Sequence, residues 1–131
     1  GDLSKDDIFA HPRYVSPMLD FILEDFNRAR DVVFDDDSIG GMIVCDSSKQ
    51  AREIEKQLEE RRSRGETNIT SALILHDEGD KEYKKDRVES YKEGKIDLVI
   101  VYSMLLTGFD APRLKRLYLG RKIKLITYFK H

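Results

Sequence analysis

The apolar positions of this chain fall into two patterns, one helical and one continuous. After Ser16-Pro17, the residues Met18, Leu19, Ile22, Leu23 and Phe26 recur at helical spacing and form one face. A serine at the N-cap accepts hydrogen bonds from free amides, and proline at the first helical position loses nothing. The spacing predicts a helix from there to about Arg30, preceded by an opening, Gly1 to Val15, that shows no clear period. Asp35, Asp36 and Asp37 then break the pattern, and Gly40-Gly41 frees the backbone. Met42 to Cys45 is apolar without interruption, as expected of a strand buried on both faces. It ends at Asp46, where Ser47 and Gln50 have the spacing of a capping box, and Ala51, Ile54 and Leu58 mark a helix that Gly65 closes. Ser71 to His76 reads as a second strand. A thinner apolar face of Tyr83, Val88 and Tyr91 follows on a helix opened at Gly79 or Asp80 and ended by Gly94. Leu98 to Tyr102 is a third strand, and Leu117 to Leu119 a short fourth.

Strands apolar on both sides and alternating with helices predict an α/β fold, a three-layer sandwich around a mostly parallel sheet with right-handed crossovers. Functional sites in such sheets lie beyond the carboxyl ends of the strands. That rule gathers Asp46-Ser47, His76-Asp77 and Ser103 to Pro112 along one edge. Residues 1–40 are expected to be an arm and lead-in helix, and 41–131 the main domain.

Composition narrows the class. The length of 131 residues suggests one compact domain, and 40% hydrophobic residues suffice for a core. Charged residues reach 37%, yet the signs nearly cancel to a net charge of -2, which predicts a well-solvated surface and leaves local basic stripes possible. Cys45 has no second cysteine to pair with and reads as a small core residue. No apolar run approaches the roughly 20 residues of a membrane span, and the polar, acidic start is unlike a signal peptide, so a cytoplasmic, membrane-free protein is expected.

The segment richest in chemistry is Tyr102 to Pro112, YSMLLTGFDAP. Gly108 lets a backbone approach a ligand, Thr107 offers a hydroxyl to a phosphate or sugar, and Asp110 suits ribose hydroxyls or a basic partner. Taken bare, the same residues make a tight turn with an aspartate cap. His76 at a strand end is more often a structural group than a contact to substrate, and neither it nor Cys45 has companions at metal-ligand spacing, so no metal site is expected. The charge runs Glu59–Arg64 and Lys81–Glu89 read as solvated helix faces. Arg113, Lys115, Arg116, Arg121, Lys122 and Lys124 form a cluster with no acid among them and are the better candidates for nucleic acid.

The stretch from Ser71 to Pro112, with MIVCDSSKQA before it and LLTGFDAPRLKRLYLGR at its end, resembles the second RecA-like motor domain of superfamily 2 helicases and translocases. Within that group it is closest in wording to the R subunit of type I restriction enzymes. The resemblance covers about Gly41 to Lys124. It implies a RecA-like domain of an ATP-dependent translocase acting on double-stranded DNA. Such a subunit also carries a first RecA-like domain and a nuclease domain, and it works with methyltransferase and specificity subunits. Carried over by position, Thr107 and Ser103 would contact the DNA backbone from motif V, and Gly108 and Asp110 would face nucleotide. Ser47, at the motif IV helix start, would be a further backbone contact, with Arg113 and Lys115 as basic contacts.

The sequence also departs from the pattern. No phosphate loop and no acidic Mg2+-binding box is present, so ATP and Mg2+ are expected to be held mainly by the first motor domain, with none bound here. The arginine-bearing motif VI, expected soon after Arg121, is replaced by LITYFKH, so the domain reads as truncated before that motif. No catalytic residue is therefore expected, and the chain alone should neither hydrolyse ATP nor cut DNA. Three other readings compete. Another superfamily 2 DNA or RNA helicase domain would share these motifs. A dinucleotide-binding domain would want a glycine-rich turn where CDSSKQ stands, and a non-enzymatic receiver-like or adaptor module would want an acidic cluster after the first strand.

Overall fold

The structure is a computed structural model, and it describes residues 5–75, 81–102, 111–121 and 125–127. Two helices open the chain, α1 (Lys5–Phe9) and α2 (Pro12–Arg28). A π-helical turn (Ala29–Val33) then leads into β1 (Gly40–Val44) and α3 (Ser48–Ser63). After these come β2 (Ser71–Leu75), α4 (Lys81–Lys92), β3 (Leu98–Tyr102), β4 (Leu114–Leu119) and β5 (Leu125–Thr127). The sheet order is β2-β3-β1-β4-β5. The first four strands are mutually parallel, and β5 pairs antiparallel with β4.

Period-two alternation divides the strand side chains between two layers. Ile43, Cys45, Leu75, Leu98, Ile100 and Tyr118 face α2 and α3. Met42, Ala72, Ile74, Val99 and Val101 face the other way, against Tyr91 and Val88 of α4 and Ile96. The three-layer α/β sandwich expected from the apolar runs is the observed fold.

Several element limits differ from the periodicity, each for a local reason. The lead-in helix starts at Pro12, one turn before Ser16-Pro17. The His11 ring nitrogen caps it by accepting from the Arg13 amide at 3.0 Å, and Pro12 takes the first helical position. Pro17 is therefore inside the helix, and Val15 joins Met18, Leu19, Ile22, Leu23 and Phe26 on the buried face. This helix belongs to the same core as β1 and α3. Strand β4 begins at Leu114 rather than Leu117, and β5 was not anticipated. The two predicted helix stops are as expected. Gly65 (φ 74°) and Gly94 (φ 84°) adopt the left-handed conformation after α3 and α4. In each case the next two amides fold back on the last turn, Gly65 to Arg62 and Glu66 to Arg61, then Gly94 to Tyr91 and Lys95 to Ser90.

Two polar networks fasten the layers. At the amino edge of the sheet, Asp97 accepts from Arg30 Nη2 at 2.7 Å, and from the Thr70 amide at 2.8 Å and hydroxyl at 3.0 Å. Arg30 also donates to the Ile39 carbonyl through Nε and Nη2. Between α2 and β4, Asp25 accepts from Tyr118 Oη at 2.6 Å and from Arg116 Nε at 3.1 Å. Arg116 is only 4% exposed, so its charge requires that partner. Burial and the Asp25 hydrogen bond push the Tyr118 phenol far above its ordinary range, so it stays a donor. Among the described residues no helix is long and apolar enough to cross a membrane.

Burial alone would raise the Asp97 carboxyl, but the Thr70 amide, the Arg30 guanidinium and the Thr70 hydroxyl outweigh it and hold the carboxyl below its ordinary value. A depressed folded value means that Asp97 contributes stability above the unfolded carboxyl value of about 3.9, and that this is lost as pH falls through the folded value. Asp97→Asn is expected to cost about 1–3 kcal/mol at pH 7 and less as the pH drops below about 4. Urea unfolding at pH 7 and pH 3 checks this, and an equal cost at both would remove Asp97 from the acid sensitivity. Asp25→Ala takes the shared acceptor from Arg116 and Tyr118 and is expected to cost about 3 kcal/mol or more, against about 1 kcal/mol for Tyr118→Phe, by thermal unfolding.

Candidate nucleic-acid interface

Parallel pairing puts the carboxyl ends of β1, β3 and β4 side by side, with Val44 in register with both Val101 and Leu119. The chain leaves β1 through Asp46 and Ser47. Ser47 is 4% exposed, and its hydroxyl accepts from the Gln50 amide at 3.0 Å, making it the N-cap of α3. Gln50 reaches back as a capping box requires, but to the Asp46 amide at 2.6 Å. Beside this turn, β4 ends in Gly120 and Arg121. Arg121 donates to the Asp46 carboxylate through Nε at 2.8 Å and lies 2.7 Å from it through Nη2. That carboxylate is 7% exposed while the arginine remains 55% exposed. The N-terminal segment completes the edge. Tyr14 Oη donates to the Arg121 carbonyl at 2.8 Å, the Phe9 ring lies 5.8 Å from its guanidinium, and Asp7 pairs with Lys49 of α3. Burial, and then the Asp46 charge, raise the Tyr14 phenol above its ordinary value, which keeps it protonated and donating.

The other predicted contacts do not all join this edge. Ser103, Thr107, Gly108 and Asp110, like His76 and Asp77, lie outside the described residues. Arg113 and Lys115 stand at the amino end of β4, since Leu114 is in register with Gly40. At about 3.3 Å per residue the strand separates them from Ser47 by roughly 15 Å or more. Of the basic cluster seen in the sequence, the described members Arg113, Lys115, Arg116 and Arg121 are strung from one end of β4 to the other, and Lys122 and Lys124 lie outside the described residues. Arg113 donates Nη1 to the Tyr91 and Ile96 carbonyls at 2.6 Å each and Nε to the Ser38 carbonyl at 2.9 Å, and its guanidinium stacks 4.7 Å from the Tyr91 ring. Its donors serve the fold. Lys115 is half-buried at the residue that the β1–β4 register passes over, between the Gly40–Leu114 and Gly41–Arg116 pairs. Arg116 faces Asp25, and Arg121 faces Asp46.

Gln50, Arg121, Tyr14 and Phe9 carry this edge; the sequence pattern marks Gln50 as a helix cap and Arg121 as one of a basic cluster, and gives no sign of Tyr14 or Phe9. The acid-free run after Pro112 hid the partners of its arginines, which come from α2 and from the turn after β1. One usable signal was present: Asp46 and Arg121 each stand two residues past the end of a strand, and neighbouring parallel strands bring such residues together.

In the turn after β1 the Asp46 amide is given to Gln50 and the Gln50 amide to Ser47, and the Asp46 carboxylate is engaged by Arg121. Among the described residues no three or more His, Cys, Asp or Glu side chains are grouped to hold a metal ion. Cys45 is buried, and burial followed by the Asp46 charge pushes its thiol well above the usual range, so it is an unreactive core residue.

A family model described as type I restriction enzyme subunit R domain 3 matches residues 26–129. The chain belongs to that family. The match takes in only the last three residues of α2, Phe26 to Arg28, and every described strand, so most of the lead-in helix lies before the matched part of the chain. Among solved structures, the chain is similar to the Hef helicase domain of Pyrococcus furiosus, with a TM-score of 0.57 and 11% identity over 76% of this chain. At that identity the likeness concerns the fold alone, a RecA-like α/β fold similar to that of a helicase domain. The chain spans 20% of the length of that structure. The family match and this likeness together describe a domain of a type I restriction enzyme R subunit with a RecA-like fold.

Removing the Arg113 clamp leaves carbonyls of three segments without their donor. Arg113→Ala is expected to lower stability by about 2–4 kcal/mol, and Lys115→Ala by no more than about 0.5 kcal/mol. Arg113→Lys should recover little, because an ammonium cannot span the same fork. Urea unfolding of the three variants checks this; equal costs for Arg113→Ala and Lys115→Ala would show that the clamp contributes nothing.

Proposed function

We propose that this domain forms part of an ATP-dependent translocase on double-stranded DNA, the motor of a type I restriction enzyme. Its share of the work is to hold the DNA backbone at the carboxyl edge of its sheet. The observation that supports this best is the family match over residues 26–129, which includes every strand of the parallel sheet.

The chemistry of the edge fits a backbone contact. Ser47 opens α3, a 16-residue helix whose N-terminus carries partial positive charge, and Arg121 adds an exposed guanidinium beside it. The chain leaves β3 at Tyr102 on the same edge and runs into Ser103 and Thr107, assigned to backbone contact, and Gly108 and Asp110, assigned to nucleotide. Phosphate contacts of this kind position a duplex without reading its sequence, which suits a motor whose target is chosen by a separate specificity subunit. The nucleotide, with Mg2+, belongs chiefly to the first RecA-like domain of the same subunit, and methyltransferase and specificity subunits complete the assembly.

Arg113 and Lys115 are left out of this footprint, because they occupy the opposite edge. Duplex binding across a salt series tests the choice. Thr107→Ala is expected to weaken binding with the salt dependence unchanged, and Arg121→Ala to weaken it and make the salt dependence shallower, while Lys115→Ala changes both little. The reverse ranking would move the DNA to the amino edge. ATP hydrolysis by this chain alone would overturn the division of labour between the two motor domains.

A further inference from the structure

Gln50 is wholly buried, and its side-chain amide is used in full. Oε1 accepts from the Asp46 amide at 2.6 Å, while Nε2 donates to the Phe9 carbonyl at 3.0 Å and the Gly120 carbonyl at 2.7 Å. The first of these bonds stands in for a capping box's bond to the N-cap amide, one residue further on. The other two tie in the end of α1, 41 residues before Gln50, and the exit of β4, 70 residues after it. Gly120 packs so closely that a Cβ there would meet Oε1 at 2.2 Å. A second set of contacts runs alongside. Phe9 meets Tyr14 edge-on at 5.1 Å, and both meet Arg121, which holds Asp46.

We propose that Gln50 is a positioning residue that couples the Phe9–Tyr14 segment to the carboxyl edge, so that the placement of this segment sets the geometry of the Asp46–Ser47 turn and of Arg121. The segment cannot shift without breaking the Nε2 bond to the Phe9 carbonyl or turning the amide away from Gly120. A rigid amide plane that loses these bonds no longer holds Oε1 on the Asp46 amide. The N-terminal helices thereby act as a strap on the edge that carries the proposed DNA contact. The consequence for DNA rests on the reading given under Proposed function; the coupling itself does not.

Gln50→Glu separates the two ends of the device. It keeps the shape and the acceptor for the Asp46 amide, but cannot donate to both carbonyls. Ionised, it sets an oxygen against two oxygens; protonated, it donates to one at most. Hydrogen exchange by mass spectrometry on the folded chain is expected to show residues 9–15 opening about tenfold more often or beyond. The Asp46–Gln50 turn should open with them even though its own acceptor is retained, while β2 and β3 stay protected. Gly120→Ala, which displaces the same amide from the other side, should give the same pattern, and it serves if Gln50→Glu does not fold. Arg113→Ala, a lesion at the opposite edge, should not. Wild-type exchange in both segments of the Gln50→Glu protein, or equal loosening of β2 and β3, would overturn the coupling. Duplex affinity measured on the same samples should fall as the strap opens. A wild-type chain that binds no duplex at any salt would sink the DNA reading, and the exchange data would still decide the coupling.

Discussion

The constraint on which the rest of this domain depends is the burial of β1 and β3 on both faces. Leu98, Val99, Ile100 and Val101 are all 0% exposed, and Met42 and Ile43 nearly so. A strand apolar on both sides is stable only with a layer over each face, and parallel neighbours can be joined only by crossovers long enough to supply those layers. The placement of α3 and α4 on opposite faces follows from this. So does the gathering of the turns after β1, β3 and β4 on one edge, where the candidate interface lies.

Charged groups complete what apolar burial begins. Arg30–Asp97 and the Arg113 clamp close the amino edge, Asp25 receives Arg116 and Tyr118 beneath α2, and Asp46–Arg121 closes the carboxyl edge. Each joins segments distant in sequence, and most involve a partly or wholly buried member, where an unmatched charge would be costly. The arginines after Pro112 therefore divide between structural and edge roles according to which neighbour their strand position gives them. The same logic applies to Gln50, whose three bonds make a polar cross-link in a place where apolar contact alone would leave the N-terminal segment free to slide.

Much of the fold could be read before any coordinates. β3 matched its apolar run from Leu98 to Tyr102, and the stops at Gly65 and Gly94 follow from glycine's access to positive φ. The Ser47–Gln50 spacing marked the α3 start. The helix start at Ser16-Pro17 misled because two Pro-containing starts stand five residues apart, and packing of Val15 and the His11 cap favoured the earlier one. The interface was less legible. Ser47 stands at the carboxyl edge, as its place after an apolar run predicts, whereas charge density, which groups Arg113 and Lys115 with it, is a one-dimensional property that ignores which end of a strand a residue occupies.

What the sequence by itself determined is what local periodicity and local chemistry can encode: the central strands, the cap of α3, the glycine stops, the two-sided core and the motif wording of an R-subunit domain. Strand order was decided only in the tertiary structure, because β1 pairs with β3 and β4 through contacts more than 50 residues apart that leave no local trace. From that order came the pairing of Asp46 with Arg121, the diversion of Arg113 to backbone carbonyls, and the meeting of Phe9, Asp46 and Gly120 on Gln50. Side-chain partnership across a sheet is a property of neighbouring strands, and the neighbours are chosen by the whole chain folding at once.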